Sequence, residues 1–300
     1  MMRKSVAFLY NQKVAPYVFV LPFVLTFLIF FIYPVITTVQ MSFQDILPGM
    51  VNNVGFKNYE RLLGDRIFRT AVSNSILYTL WTLLLLIPFP LVFACMLNSR
   101  SMIARGFFKT SLFLPVVTSV VVAGTIFRLM FGEVNGSLMN TIRMFFGLGP
   151  IKWLRVRETG FAAMVLMACW RWTGVNMLYF LSGLKGVPPE MYESAEIDGA
   201  NAWQKFRHIS VPLVKPTIIY VLTISIYAGL AMFTESYMLW AGNNSPKNIG
   251  LTIVGYLYRQ GWEQNRMGYA SAVGLVLLVV AMAINLVQLR LTGVLGRERD

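Results

Sequence analysis

Apolar residues run along this chain in long blocks, not in the short alternation of strands. Six blocks are long enough to cross a bilayer: 15–36, 71–97, 111–131, 161–184, 217–241 and 268–290. A hydrocarbon core of roughly 30 Å asks for about 20 mostly apolar residues in a helix. Backbone groups in lipid must be satisfied within their own segment, so each block predicts a helix. Pro22, Pro88, Pro90 and Pro115 fall inside these blocks. They do not forbid the reading, because neighbours or water re-satisfy the carbonyls that a kink frees. The pattern predicts an all-α, polytopic membrane protein with six transmembrane helices.

Composition agrees with the pattern. The chain is 56% hydrophobic and 13% charged, where an ordinary soluble domain is about a quarter charged. The first block has a basic lead in Arg3, Lys4 and Lys13, as a signal peptide would. Its apolar stretch is too long for one and no small-residue cleavage site follows, so it reads as a retained helix. Cys95 and Cys169 lie far apart within predicted spans and offer neither a disulfide framework nor a metal motif. The net charge of +13 suits membrane topology better than nucleic-acid binding.

Orientation follows from the short loops, where Lys and Arg mark the cytoplasmic side. The tight loop 98–110 holds Arg100, Arg105 and Lys109 with no acid, and the lead before the first span is purely basic. The segments on the other side mix signs, as in 59–69. Both termini are thus expected in the cytoplasm. The expected layout is a tail over 1–14, a membrane-spanning body over 15–290 and a tail over 291–300. No internal repeat or low-complexity tract stands out, and Trp153 is expected at headgroup depth.

One connection is unlike the rest. Residues 185–216 contain YESAEIDGANAWQKFRHISVPLVKP, a long polar stretch in an apolar chain. Pro188-Pro189 suits the end of one helix and the start of the next. Glu190, Glu193 and Glu196 form an acidic flank near that N-terminus, where acids match the helix dipole. Tyr192, Ala195 and Gly199 recur on another face, and Gly199 marks a stop or a sharp bend. Trp203, Phe206 and Ile209 then form an apolar row, and Lys205 with His208 a basic one. The expected structure is two short amphipathic helices joined at a glycine, lying near the inner membrane surface. A surface helix on anionic lipid is usually strongly basic, whereas this one begins acidic.

This stretch resembles the EAA loop of permease subunits of ABC importers. That loop's pattern is E-A-A, three residues, Gly, nine residues, I, one residue, L-P. Glu193-Ser194-Ala195, Gly199, Ile209 and Val211-Pro212 stand at those positions, with Ser194 and Val211 as small departures. The stretches 55–63, 113–131, 197–212 and 266–278 resemble carbohydrate permeases of the maltose-type group, in the common six-helix form. The resemblance implies a coupling helix that docks into a cleft on a cytoplasmic ATPase, with Tyr192, Glu193, Ala195, Asp198, Gly199, Ile209 and Pro212 as coupling residues. Glu193 would pair with a basic rim, and Tyr192 and Ala195 would fill an apolar slot on the partner. It also implies a second permease subunit, an ATPase dimer carrying ATP and Mg, an extracytoplasmic solute-binding protein and a disaccharide or oligosaccharide solute.

The chain has no phosphate-cradling Gly-x4-Gly-Lys-Ser/Thr loop and a single histidine. No catalytic or metal constellation is expected, and no cofactor is expected on this chain. Ionisable groups inside spans default to function. Arg171 sits mid-span between Trp170 and Trp172 and must face protein or water. Trp172, Asn176, Tyr179 and Gly183 share a helical stripe, either an aromatic face for sugar rings or a helix-packing seam. Thr223, Tyr227, Ala231 and Thr234 make a similar stripe in the next span, with Glu235 near its outer end, as a partner for Arg171 or a solute contact. Three other readings remain open on residues alone: a permease of the same family for a solute such as glycerol phosphate, an ion-coupled secondary transporter, and a membrane-bound enzyme.

Overall fold

The computed structural model describes residues 12–47, 49–99, 102–134 and 136–294. The ends of both expected tails, Arg3, Lys4 and Arg100 lie outside the described residues. The chain divides into two units, Met1–Gly64 with Gln260–Val276, and Asp65–Arg259 with Leu277–Asp300.

In the smaller unit, α1 runs over Ala15–Ser42, longer than the apolar block alone predicts. Only Ser42 of this helix is buried. A hairpin follows, with β1 (Gln44–Leu47) antiparallel to β2 (Met50–Asn53) and Leu47 opposite Met50. An all-α expectation misses this element. Its turn holds Gly49 at φ +80°, a conformation that costs glycine little. The short helix α2 (Lys57–Gly64) is tied back by Asn58, whose Nδ2 donates to the carbonyls of Ser42 and Gln44, both at 2.9 Å.

In the larger unit, α3 spans Arg66–Asn98. Asp65 caps it, accepting from the amides of Ile67 at 2.7 Å and Phe68 at 3.2 Å, which satisfies donors that a helix start leaves open. The block at 111–131 is not one helix. It is α4 (Arg105–Val117) and α5 (Val120–Met130), bent by 96°. Thr118 and Ser119 both take extended backbone there, three residues after Pro115, which cannot donate to the ladder. The segment after α5 contains α6 (Leu138–Phe145). The Trp153 indole donates to Asn140 Oδ1 at 2.8 Å and its ring meets Phe131 edge-on.

The long helix α7 (Arg157–Lys185, 29 residues) spans about 43 Å at 1.5 Å per residue and organises the core. Met164, Met167 and Ala168 pack with Ala123, Phe127 and Leu239. From about two and a half turns beyond Ala168, Met177, Phe180 and Leu184 pack with Leu91, Ala94, Leu97 and Val221. After α8 (Pro189–Ile197) comes α9 (Ala202–Leu213), bent by 70° from α10 (Lys215–Leu230). The block 217–241 therefore does not continue as one span. It breaks after Leu230, and α11 (Thr234–Leu239) starts afresh. Next are α12 (Ile253–Tyr258) and α13 (Met267–Leu291). Among the described residues, three helices can cross a membrane by length and apolarity (α1, α3 and α13), and up to five spans result if each bent pair counts as one.

Candidate functional site

Two places in the larger unit gather the residues singled out by sequence. The first is a cavity of about 160 Å³ between α3, α7 and α10, with α11 at its edge. α7 supplies Trp172, Asn176 and Tyr179, the expected stripe. Trp172 and Tyr179 are partly open, and Tyr179 meets Tyr220 edge-on at 5.5 Å between centroids. The fourth member, Gly183, packs instead against α10: a Cβ there would lie 2.5 Å from Thr217 Oγ1. The stripe thus lines the cavity over Trp172, Asn176 and Tyr179 and is a helix-packing seam at Gly183.

Asn176 has a structural duty as well. Its Nδ2 donates to the Leu86 carbonyl at 2.8 Å. That carbonyl would serve the amide of residue 90 in an unbroken helix, and residue 90 is proline. A neighbouring side chain thus meets the acceptor freed by the kink, as membrane packing requires.

The expected stripe of Tyr227 and Thr234 does not reach the cavity. Tyr227 is 61% exposed and Thr234 is exposed, while Thr223 donates to Gln288 Oε1 at 3.0 Å. The wall from α10 is Ile224, Ser225, Ala228 and Gly229. The helix ends at Leu230, so the spacing carried through to residue 234 loses its meaning. The structure adds two residues from α3, Tyr78 and Thr82. They belong to a buried polar row of Asn74, Ser75, Tyr78, Thr79 and Thr82, whose helical spacing within an apolar block was a legible signal.

Glu235 lines the cavity and pairs with Arg171, Nη1 to Oε1 at 3.1 Å, with the side chains 10% and 13% exposed. The Arg171 guanidinium also sits 5.6 Å from the centre of the Trp172 ring. Arg171 thus faces protein, and Glu235 is its partner and also lines the cavity.

The second place is the elbow between α8 and α9. Gly199 has φ +78°. Its amide donates to Glu196 at 3.1 Å and that of Ala200 to Ala195 at 2.8 Å, the pair of bonds that closes a helix through a left-handed glycine. Asn201 and Gln204 then form a reciprocal capping box, which starts α9. Lys205 pairs with Glu196 across the bend at 2.8 Å. A shallow concavity on the elbow is bordered by Ala195, Asp198, Gly199, Lys205, His208 and Ile209.

The elbow is pinned to the core from one side. Tyr192 is half-buried, with its hydroxyl 3.0 Å from Ser210 Oγ. With Phe206 and Ile209 it packs on the cluster around Phe180 and Val214. Tyr192 therefore turns inward and does not offer itself to a partner's slot. The outward apolar residues are Ile197, 87% exposed, and Trp203, 65% exposed and stacked on Phe206. Ile197 escaped the sequence reading because it stands at the last position of α8, off the face that carries Tyr192 and Ala195. Glu190, Glu193, Asp198 and Pro212 are exposed.

The chain matches a family model described as "Binding-protein-dependent transport system inner membrane component" over residues 86–297. It is 54% identical over 284 residues to the arabinooligosaccharides transport system permease protein AraP of Bacillus subtilis (strain 168), covering 95% of this chain and 90% of that one. A bacterial ABC transporter involved in the import of the acidic polysaccharide alginate aligns with a TM-score of 0.83 at 27% identity, over 94% of this chain and 96% of that one. The bacterial alginate ABC transporter in complex with alginate pentasaccharide-bound periplasmic protein aligns with a TM-score of 0.82 at 26% identity, over 94% and 95%.

Proposed function

The chain belongs to the family of binding-protein-dependent transport system inner membrane components, and on that footing we propose that it forms half of the translocation path of an ATP-driven oligosaccharide importer. It is a transport component and not an enzyme. A second permease subunit completes the path, two ATPase subunits bind ATP and Mg, and an extracytoplasmic binding protein delivers the solute. Six spans cross the bacterial plasma membrane: α1, α3, the α4–α5 pair, α7, the helix α10 with its lead, and α13. Both termini face the cytoplasm.

The observation that carries this reading is the cavity wall built by Trp172, Asn176 and Tyr179. Aromatic faces stack on the C–H faces of sugar rings, and amide and hydroxyl groups beside them meet ring hydroxyls. The 54% identity to an arabinooligosaccharides permease supports a sugar as the solute. The elbow supplies the mechanics. Its outward face presents Ile197, Trp203 and the acidic flank of α8, while Tyr192 ties the same segment to α7 through the core. A load on Ile197 is thereby transmitted to the helix that lines the cavity. ATP closes the ATPase pair, the elbow moves with it, and the spans open outward to receive sugar.

The test is ATP-driven uptake of an arabino-oligosaccharide into proteoliposomes holding the assembled transporter and its binding protein. Trp172→Ala is expected to lower uptake at least about tenfold, the loss of one stacking contact of about 1.4 kcal/mol. Unchanged uptake would remove the cavity from the path.

A further inference from the structure

We propose that the Arg171–Glu235 pair sets the charge selectivity of the cavity, so that it takes neutral sugars and rejects uronic acid units. The inference rests on the cavity being the sugar's site. Glu235 is the one charged residue among those lining the cavity. Its carboxylate Oε1 is held by Arg171 Nη1 at 3.1 Å, and both side chains are nearly closed to solvent. The cation does not itself line the cavity. It sits beyond the carboxylate, against the edge of the wall made by Trp172. A solute therefore meets the carboxylate first and the guanidinium only behind it.

That arrangement has two consequences. A hydroxyl can donate to the carboxylate, a charge-assisted bond stronger than a neutral one. A sugar carboxylate at the same spot meets like charge in a partly dry site, where screening by solvent is weak. The fold itself is indifferent to solute charge, since an importer of an acidic polysaccharide shares it. Selectivity must then reside in side chains, and Glu235 with Arg171 are the charged ones at this wall. Neutralising Glu235 alone would leave Arg171 uncompensated and turn the wall attractive to an anion.

The test uses the purified transporter complex in detergent, with arabinotriose and trigalacturonate as probes and binding measured calorimetrically. The wild-type complex is expected to bind arabinotriose and to show at least about tenfold weaker binding of trigalacturonate, the scale of one uncompensated charge in a partly dry site. Glu235→Gln should strengthen trigalacturonate binding by about tenfold or more. The double variant Arg171→Met with Glu235→Gln, which removes both charges, should keep arabinotriose and gain clearly less trigalacturonate than Glu235→Gln alone, since the repelling carboxylate is gone but no cation faces the solute. A folded Glu235→Gln complex that gains nothing, or a double variant that gains as much as the single one, would overturn the proposal. Should Glu235→Gln fail to fold, Ser225→Lys adds a cation to the same cavity with the pair intact, and no gain of trigalacturonate there would also overturn it. Arabinotriose binding unaffected by Trp172→Ala would instead show that the cavity is not the sugar's site, a separate failure.

Discussion

Asn176 Nδ2 donates to the carbonyl of Leu86, the acceptor left without an amide by Pro90 four residues on. One side chain on α7 thus meets the acceptor left open where α3 is interrupted at Ile87 and at the same time forms part of the cavity wall. Asn176→Leu should cost about 1–3 kcal/mol, because a buried carbonyl loses its partner. Asn176→Gln, which keeps an amide donor, should recover part of that loss. Thermal unfolding of the detergent-solubilised complex reads both; equal stability of Asn176→Leu and the wild type would show that the carbonyl has another donor.

α7 approaches α4 closely at Gly174, where a Cβ would lie 2.0 Å from the Leu112 carbonyl oxygen. Backbone cannot move aside as a flexible side chain can. Gly174→Ala should therefore destabilise by about 1–3 kcal/mol, as overpacking of a tight core does, and lower the yield of folded protein. An unchanged melting temperature would mean that the two helices separate freely.

Gly199 tests backbone conformation without crowding. A Cβ there meets nothing within 4 Å, but φ is +78°. Gly199→Asn tolerates the left-handed region better than Gly199→Ala, so Asn should retain more transport than Ala, which should cost about 1 kcal/mol of local stability. Gly199→Asp and Glu193→Lys are expected to insert normally yet lose solute-stimulated ATP hydrolysis. Normal transport in both would remove the elbow from coupling.

The spans were legible because length and apolarity are local properties, and the elbow because its devices are local too. Pro189, the Gly199 bend and the Asn201–Gln204 box each announce themselves in a few residues. The breaks were not. Whether Pro115 leaves a gentle kink or a 96° bend depends on what packs against Thr118 and Ser119, which no window reports. The same loss of register misplaced Thr234, since a helical stripe drawn through 231–233 crosses the end of a helix, whereas Tyr227 lies inside α10 on an exposed face away from the cavity wall. Tyr192 shows a third limit. Its place on an amphipathic helix is readable, but which face meets the chain's own core is set by Ser210 and the Phe180 cluster, far along the sequence. The hairpin at 44–53 was passed over as a connection.

Ile197 should be the apolar contact that Tyr192 is not. It is 87% exposed on a helix otherwise polar on that side. Ile197→Asp removes an apolar anchor and adds a charge, so co-purification of the ATPase should fall by at least about tenfold, on the scale of about 2 kcal/mol for a hot-spot residue. Folding and membrane insertion should be unaffected, because nothing in the core contains Ile197. Full retention of the ATPase would shift the contact to Trp203.

The central claim is that the elbow of α8 and α9 is gripped by an ATPase on the cytoplasmic side. Site-directed crosslinking reads it most directly, with Ile197→Cys placed in a background where Cys95 and Cys169, the only two cysteines, are replaced by serine. A short bifunctional thiol reagent applied to inside-out vesicles should join Ile197→Cys to a cysteine in the ATPase cleft, with a yield that changes on adding a non-hydrolysable ATP analogue. No joined product in any nucleotide state, together with labelling of Ile197→Cys by a membrane-impermeant maleimide from outside intact cells, would contradict it.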